Sequence, residues 1–352
     1  MIGLAPAPAA AIDAAISTAV ERIRTRAEGL GGSFPALGDA IARAADGGKR
    51  FRPFLVVAAF EACGGAPSTA ALYPVAAAFE LLHTAFVVHD DVIDHDTVRR
   101  GIPNVAGEFR ARARRKGADA SGEALLGDAA AILAGDLLLH EACRLIALAD
   151  LGARDRKRLL ALLDDAVFVS AAGELADVEH AVAKDWADPE ALLGAAHDKT
   201  AVYSFTAPLC AGAVLAGAPT AVQAALEVAG GRLGLAFQLA DDLIGAFGSS
   251  AQAGREAGGD LREAKRTPLI ALARDSTSWN RVNAALAVAH TGPIAVREAQ
   301  RALDESGARA ALLALIDRTL AEARDAASDP ALPAEARALV TDLARAIAER
   351  VP

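Results

Sequence analysis

Two short runs of aspartate interrupt apolar segments of the sequence, and their spacing points to metal chemistry. The first run, Asp90, Asp91 and Asp94, closes the almost entirely apolar segment 74–88, which predicts a helix buried on nearly all sides. Asp90 and Asp94 share a helix face, where ionised carboxylates repel one another in poorly solvated surroundings. A hard divalent cation, above all Mg²⁺, relieves that repulsion, and substrate phosphates usually complete its shell.

Two arginines, Arg99 and Arg100, follow the first acidic run within about three helical turns. A guanidinium group binds phosphate oxygens in pairs. Acids that hold a metal and arginines that hold phosphate predict a diphosphate substrate. The alternative is a solvated acidic helix end with a basic cap, which the directly preceding Val87 and Val88 disfavour.

A second acidic pair, Asp241 and Asp242, also ends an apolar helix. Gln238 stands one helical turn earlier and is expected on the same face. Two such pairs predict a metal site far more strongly than one pair does.

The segment 47–53, Gly-Gly-Lys-Arg-Phe-Arg-Pro, combines chain flexibility with positive charge. Its two glycines permit close approach of the backbone to a ligand, and Lys49, Arg50 and Arg52 precede a helix expected to start at Pro53. This pattern predicts an anion site at a helix N-terminus. A solvated basic loop is the alternative.

Further polar residues stand out against apolar surroundings. Lys199 and Thr200 precede a long uncharged stretch and are predicted to open a helix that lines a cavity. Arg255 and Lys265 add cations beyond the second acidic pair. Segment 102–123 carries a run of basic residues and little apolar content, which predicts a loop that flanks the site.

Composition limits the class of protein. The chain has 352 residues, 53% of them hydrophobic and only 4% aromatic, and residues favoured in strands are sparse, so we expect an all-α fold. The length allows one large domain or two ordinary ones, and our expectation is a single domain over residues 1–352. A net charge of -9 argues against nucleic acid as a partner.

Residues 1–10 are expected to be flexible, and no signal peptide or membrane span is expected at the N-terminus.

Three widely spaced cysteines, Cys63, Cys143 and Cys210, lie in apolar context. They predict reduced core thiols and a cytoplasmic location.

Taken together, these motifs resemble those of the trans-isoprenyl diphosphate synthases of the polyprenyl synthetase family over roughly residues 40–270. The resemblance rests on GGKRFRP, DDVID followed by RRG, AILAGD, Lys199-Thr200 and AFQLADD, in that order. It implies an isoprenoid synthase fold, with helices surrounding a deep central cavity, and a homodimer. It further implies a Mg²⁺-dependent condensation of isopentenyl diphosphate with dimethylallyl, geranyl or farnesyl diphosphate, with three ions when substrate is bound.

The resemblance also implies roles for individual residues. Isopentenyl diphosphate is assigned to Lys49, Arg52, His83 and Arg100. The allylic diphosphate is assigned to Arg99, Lys199, Thr200 and Gln238, with Arg255 and Lys265 as further substrate-binding cations. Mg²⁺ is assigned to Asp90, Asp91, Asp94, Asp241 and Asp242. The catalytic set implied is Asp90, Asp94, Arg99, Lys199 and Asp241, which stabilise the departing diphosphate.

The chain departs from the family pattern in the second acidic motif. Gly245 stands where a third aspartate is common, and Arg255 stands where a lysine is usual. We expect weakened or altered Mg²⁺ binding without loss of activity. On this reasoning a Gly245→Asp change lowers the Mg²⁺ concentration needed for half-maximal rate.

Product length is assigned by the resemblance to Ala85 and Phe86, one helical turn before Asp90. One small and one large residue imply a partial stop to elongation, which favours a C20 geranylgeranyl product. Farnesyl diphosphate (C15) ranks next, and longer chains rank third. The alternative is that Phe86 only packs in the core.

Two other classes of protein remain as alternatives. A metal phosphohydrolase would use the dyad His89-Asp90, but it needs further upstream histidines and His83 is the only one before His89. A non-catalytic partner subunit of a heteromeric synthase would keep the fold while losing acids.

Overall fold

The computed structural model describes residues 3–66, 69–253 and 257–352, and this part of the chain is almost entirely helical. Its first elements are α1 (Pro6–Glu28), α2 (Phe34–Ala45), α3 (Phe51–Ala62), α4 (Leu72–Ile93), β1 (Val98–Arg99), β2 (Ile102–Pro103), α5 (Val105–Arg115) and α6 (Ala120–Ala147). The all-α prediction is confirmed, apart from the two-residue strands of one hairpin.

The remaining elements continue the helical chain. They are α7 (Ala153–Val182), α8 (Pro189–Ala201), a π-helix (Val202–Thr206), α9 (Ala207–Leu215), α10 (Thr220–Phe247), α11 (Ser250–Ala253), α12 (Gly259–Arg262), α13 (Pro268–Arg274), α14 (Trp279–Val288), a 3₁₀ turn (Ala289–Thr291), α15 (Pro293–Glu305), α16 (Ala308–Ala326) and α17 (Ala334–Ala348).

Two compact units make up the chain. The N-terminal unit comprises Gly3–Leu163 and Ala211–Gly217, and the C-terminal unit comprises Asp164–Cys210 and Ala218–Pro352. The expectation of one domain over residues 1–352 stays a prediction.

Helix α4 is the central element of the N-terminal unit. It packs against α1, α3 and α6, and Phe79, Leu81 and Leu82 are fully buried. Its length and apolar composition would suffice to cross a membrane, and 67% of the apolar window is buried inside the protein. Core burial therefore accounts for the composition of α4.

Helix α5 corrects the prediction of a loop over 102–123. Asn104 caps it by accepting a hydrogen bond from the backbone N–H of Gly107 at 2.9 Å. Val105, Phe109 and Ala113 recur at helical spacing and are buried, and α5 packs on α6. Its arginines cluster in the last turn, where they complement the helix dipole. The high charge of the segment concealed this narrow apolar stripe.

Two smaller expectations are also corrected. Residues 6–10 already belong to α1, so the prediction that 1–10 are flexible is wrong for that half.

Cys210 is buried and Cys63 is half-buried, but Cys143 is exposed. The prediction of core thiols is therefore wrong for Cys143.

In the C-terminal unit, α10 packs against α8, the π-helix, α16 and α17. Glycines permit the closest of these approaches. A Cβ on Gly234 would lie 2.4 Å from Cα of Ala201, and a Cβ on Gly173 would lie 2.2 Å from the backbone nitrogen of Lys199. No side chain fits at either crossing, so these glycines set the distances of α10 and α7 from the end of α8.

Candidate functional site

The predicted site residues form two clusters of charged side chains, each inside one compact unit. We call the first, around the end of α4, the DDVID cluster. The second, around the late part of α10, is the DDLIG cluster.

In the DDVID cluster the three aspartates differ in environment. Asp91 is 3% exposed, Asp90 is half-buried, and Asp94 is exposed at the C-cap of α4, where its backbone N–H bonds to the carbonyl of Asp90 at 2.8 Å. Acids in the last turn of a helix oppose its macrodipole. Their placement here favours a cation at this helix end.

Asp91 is paired with Arg99. Arg99 donates to its Oδ1 from Nε at 2.9 Å and from Nη2 at 2.6 Å. Burial raises the pKa of Asp91, and the hydrogen bond from Arg99 opposes that shift. Asp91 bonds to Arg99 in this structure, and its assignment to Mg²⁺ with Asp90 and Asp94 stays a prediction. In this position Asp91 orients Arg99.

The two arginines after the aspartates lie in a hairpin. Val98 pairs with Pro103 and Arg99 with Ile102, which leaves Arg100 and Gly101 as the turn residues, both with positive φ. This is the type I′ pattern, for which glycine is favoured. The hairpin directs the two arginines differently, since Arg99 is on the strand and Arg100 is in the turn.

The positive charges of three arginines act on His83. The pKa of His83 is held well below its ordinary value of 6.5, first by burial and then by the positive charges of Arg52, Arg99 and Arg100. Three guanidinium groups near a neutral imidazole form a suitable environment for a diphosphate. The structure thus brings together four of the residues assigned to substrate.

The glycine-rich loop before α3 contributes less to this group than expected. Arg50, with φ 49, donates to Glu80 at 3.1 Å and to Asp13 at 2.8 Å, so it ties the loop to α4 and α1. Lys49 is exposed. A Cβ on Gly48 would lie 3.9 Å from Nη2 of Arg100, which places the loop next to the hairpin turn. Helix α3 begins at Phe51, two residues before the predicted Pro53.

His89 packs against α6, a contact that the sequence reading missed. Its Nε2 lies 3.2 Å from the carbonyl of Ile132 and 3.6 Å from Oδ1 of Asp136. A Cβ on Gly135 would come within 2.1 Å of that nitrogen. The His89 ring therefore fills the space next to Gly135, which explains the glycine of the AILAGD motif, and the aspartate of that motif lies near the ring. Because His89 packs on α6 in this way, the phosphohydrolase alternative, which needs a His89-Asp90 metal dyad, is disfavoured.

In the DDLIG cluster a chain of hydrogen bonds reaches Asp242. Thr200 Oγ1 donates to Gln238 Oε1 at 2.6 Å, and Gln238 Nε2 donates to Asp242 Oδ1 at 2.8 Å. Asp242 is 8% exposed. Burial raises the pKa of Asp242 to about 8, and the nearby charges of Asp260 and Asp241 add to the effect. Gln238 therefore orients a carboxyl that is largely protonated without a cation.

Asp241 and Lys199 already have charged partners. Arg350 Nη2 donates to Asp241 Oδ1 at 2.5 Å, and its guanidinium lies 4.1 Å from the ring centroid of Phe237. Lys199 Nζ lies 2.9 Å from both Glu174 and Asp177. Positively charged side chains thus bind the carboxylates of this cluster, as a metal ion would.

The local structure at Lys199 and Thr200 differs from the prediction. They lie in the last turn of α8 and are followed by the π-helix Val202–Thr206, so they end a helix where the sequence suggested a start. Single π-turns often mark functional positions.

The remaining predicted residues are placed as follows. Lys265 is partly exposed and lies 3.4 Å from Glu263. Arg255 falls outside the described residues. Ala85 is fully buried, and Phe86 is half-buried on the same helix as Asp90.

The space next to Gly245 is filled by another side chain. A Cβ built on it would lie 1.7 Å from Oδ2 of Asp260. The expected gain in Mg²⁺ affinity from Gly245→Asp therefore does not follow, because the added side chain collides with a carboxylate.

No group of three or more His, Cys, Asp or Glu side chains within residues 3–66, 69–253 and 257–352 is arranged to hold a metal by itself. Mg²⁺ is commonly held by one or two carboxylates with substrate phosphates and water. The donors in both clusters are carboxylates with cationic side chains lying on them, so they fit an ion that arrives with a diphosphate.

A first prediction concerns Asp242 in the metal-free protein. Its pKa in the folded state is raised to about 8 from 3.8, so the unfolded chain loses this proton at lower pH. The free energy of unfolding therefore falls as the pH rises from the lower to the higher of these two pKa values, by at most about 1.4 kcal/mol per pH unit. Asp242→Asn, which keeps the acceptor for Gln238, should raise the melting temperature, and more at pH 7.5 than at pH 5.

Thermal unfolding with chelator at both pH values checks this prediction. Asp317→Asn, which changes an exposed acid on α16, is the control. Equal destabilisation by Asp242→Asn at both pH values would show that the carboxyl is ionised in the fold.

The chain is similar to several prenyl diphosphate synthases. The (2E,6E)-farnesyl diphosphate synthase of Mycobacterium tuberculosis is 35% identical over 264 residues, which are 75% of this chain and 63% of that protein. The chain therefore spans less than two thirds of that relative. The geranylfarnesyl diphosphate synthase of Aeropyrum pernix is 30% identical over 87% of this chain and 91% of its own length.

The solved structure of a geranylgeranyl pyrophosphate synthase from Corynebacterium glutamicum, complexed with isoprenyl diphosphate and magnesium, has a TM-score of 0.87 to this chain. The two are 27% identical, and the match covers 97% of this chain and 98% of that one. Residues 35–304 match the polyprenyl synthetase family. The chain belongs to the polyprenyl synthetase family.

Proposed function

We propose that the chain is a trans-prenyl diphosphate synthase that condenses isopentenyl diphosphate with allylic diphosphates in a Mg²⁺-dependent reaction. The observation that carries this proposal is that the positive charges of Arg52, Arg99 and Arg100 act on half-buried His83, in the same unit as the DDVID aspartates. Anion-binding and cation-binding groups placed together suit a metal–diphosphate substrate.

The aspartates would hold Mg²⁺ in both clusters: Asp90 and Asp94 in one, and Asp241 and Asp242 in the other. When bound, Mg²⁺ supplies charge stabilisation for a departing diphosphate. Its use here is supported by the carboxylate donors and by the magnesium in the Corynebacterium structure, and three ions with substrate bound remain part of the proposal.

The side chains of the protein position the two substrates. Arg99, oriented by Asp91, stabilises charge that builds on the allylic diphosphate as its carbon–oxygen bond breaks. In the DDLIG cluster, Lys199 is the cation that we assign to diphosphate binding. Lys49, Arg52, Arg100 and neutral His83 hold isopentenyl diphosphate so that its double bond attacks the allylic carbon. The new cation then loses a proton, which the released diphosphate accepts.

Hydrogen bonding and exclusion of water complete this mechanism. Thr200 and Gln238 fix the carboxyl of Asp242. Apolar walls keep water from the carbocation, which would otherwise be quenched.

Product formation from the purified chain tests the function directly. Isopentenyl diphosphate and each allylic primer, incubated with Mg²⁺ or with chelator, should give prenyl diphosphates only with the metal, as detected by mass spectrometry. Absence of product with every primer would favour the non-catalytic partner subunit, the alternative that the missing acid at Gly245 suggests.

For product length we propose geranylgeranyl diphosphate (C20), with farnesyl diphosphate next. Support comes from the half-buried Phe86 beside the small, buried Ala85, one turn before Asp90 on α4. A chain that grows along α4 from Asp90 meets this large side chain first.

We also propose a cytoplasmic homodimer. On α7, Phe168, Leu175 and Val182 are 77%, 61% and 79% exposed at seven-residue spacing. An apolar stripe of this kind on a single helix is typical of a face that packs against another helix.

The first activity prediction is that Asp90→Ala and Asp94→Ala each lower kcat by at least about a hundredfold while the helical content is kept, because each removes electrostatic stabilisation of the departing diphosphate. Steady-state kinetics and circular dichroism measure the two quantities. Asp96→Ala removes a nearby exposed acid and serves as the control. Near-wild-type turnover in either Asp90 or Asp94 variant would exclude the DDVID cluster from catalysis.

The second activity prediction is that Phe86→Ala shifts the products to longer chains, because it removes the large side chain next to the elongation path. Chromatography of the dephosphorylated products reads the distribution, and Val87→Ala on the same helix is the control. A folded, active Phe86→Ala variant with unchanged products would mean that Phe86 only packs in the core.

The assembly prediction is that Phe168→Glu converts the dimer to a monomer, because a charge on the apolar stripe disfavours its burial. Sedimentation velocity measures the state. Ile294→Glu, at a site that is also 77% exposed but on α15, should leave the dimer intact. A monomeric wild-type protein would contradict the homodimer itself.

A further inference from the structure

Arg50 differs from the other cations of the segment 47–53, because acidic side chains of the protein already bind it. Its side chain is 12% exposed, whereas Lys49 is exposed. Arg50 donates from Nη1 to Oε1 of Glu80 at 3.1 Å and from Nε to Oδ1 of Asp13 at 2.8 Å. Two carboxylates thus neutralise its charge, so Arg50 is less suited than Lys49 to bind an anion.

The same guanidinium group closes the glycine turn. Arg50 Nη1 also donates to the carbonyl of Ala45 at the end of α2, at 3.2 Å, and this bond spans Gly47 and Gly48. The backbone of Arg50 has φ 49 and ψ 42 at the N-cap of α3, a left-handed conformation that is unfavourable for a residue with a side chain. Such a conformation persists only where surrounding contacts hold it. The three hydrogen bonds of Arg50 supply these contacts.

Glu80 brings this ion pair close to the residues assigned to isopentenyl diphosphate. It lies in α4, is 6% exposed, and precedes His83 by three residues, close to one helical turn. A Cβ on Gly48 would lie 3.5 Å from Oε1 of Glu80 and 3.9 Å from Nη2 of Arg100. The backbone of Gly48 is therefore near both the ion pair and a cation that we assign to the substrate.

A cavity of about 600 Å³ lies against the glycine loop. Asp46, Gly47, Gly48 and Arg50 line it together with residues of α1 and α2. Glycine has no side chain with which to pack, and it restricts the backbone least of all residues. Because this part of the loop borders a cavity, its position depends on the hydrogen bonds of Arg50 more than on packing.

We propose that Arg50 and Glu80 are positioning residues for isopentenyl diphosphate. Their ion pair fixes the loop that carries Lys49 and Arg52 against the helix that carries His83. The proposal rests on the proposed function, and it adds two residues that act on one of the two substrates without touching it. When either partner is lost the loop shifts, and small displacements of binding groups weaken binding strongly. The allylic substrate, which is assigned to other residues, is affected much less.

Calorimetric titration of isopentenyl diphosphate into the full-length protein, with no allylic substrate present, measures this effect without turnover. Arg50→Lys keeps the charge, but its compact ammonium group does not reproduce the planar fork that serves three partners. Its Kd for isopentenyl diphosphate should rise about tenfold, and Glu80→Gln should raise it in the same way. Inorganic diphosphate, titrated in parallel, is the second probe.

The Glu80→Gln variant separates positioning from two other roles. If Arg50 itself held the substrate, loss of its buried acidic partner would free its charge and lower the Kd. If the pair were only structural, both variants would lower the melting temperature and leave the Kd unchanged. Either result overturns the proposal.

Two matched controls come from the same unit. Arg24→Lys changes an arginine that lines the same cavity and donates to two acids, Glu21 and Asp39, but belongs to α1 and not to the loop. Glu141→Gln changes a fully buried acid that is paired with Arg22 on another helix. Glu141→Gln should lower the melting temperature, and neither control should change the Kd.

A double variant keeps the test open if a single variant does not fold. Arg50→Met with Glu80→Met removes both charges with flexible apolar side chains, so no buried charge is left unpaired. It should show the same rise in Kd. In steady-state kinetics the KM for isopentenyl diphosphate should rise while the KM for the allylic primer stays unchanged.

The outcomes separate this proposal from the proposed function. If the wild-type chain makes no prenyl product but binds either probe in a way that depends on Arg50 and Glu80, the proposed function fails while the positioning role is supported. A folded double variant with the wild-type Kd overturns the positioning role even if product forms. A wild-type chain that binds neither probe overturns it as well.

Discussion

Carboxylates in the last turn of α4 and in the late part of α10, both apolar helices, are the constraint on which both clusters depend. Each cluster offsets the repulsion with positive side chains, as when Arg99 lies on Asp91 or Arg350 on Asp241. Buried charge without such a partner is strongly destabilising. These internal cations therefore stabilise the fold without a metal, and they lie on the carboxylates that we propose as metal ligands.

Close helix crossings are the second requirement, since they place the polar groups to within fractions of an ångström. Gly135 admits the ring of His89, Gly173 admits the backbone of Lys199, and Gly234 admits Ala201. Without these glycines α4 would stand away from α6, and α8 would stand away from α7 and α10. The hydrogen bonds from Thr200 through Gln238 to Asp242 depend on the last of these crossings.

Much of this arrangement could be predicted from the sequence, because α4 and α10 carry long apolar runs that end in acids. Charge misled the prediction for α5, where four arginines stand among four buried residues. The contact of His89 with Gly135 and the position of Asp260 against Gly245 could not be predicted. Both depend on how separate helices pack, and no spacing along one helix encodes that.

The charge distribution bears on how an acidic protein could bind the anionic substrate that we propose. A net charge of -9 repels polyanions at a distance, so anion binding must come from local groups. Burial and the positive charges of Arg52, Arg99 and Arg100 keep His83 neutral, so positive potential acts on this part of the N-terminal unit. A nucleic acid backbone needs a basic surface many times larger. A small group of cations in the same unit as the DDVID carboxylates instead suits a compact anion that carries a divalent cation, as the proposed metal–diphosphate substrate does.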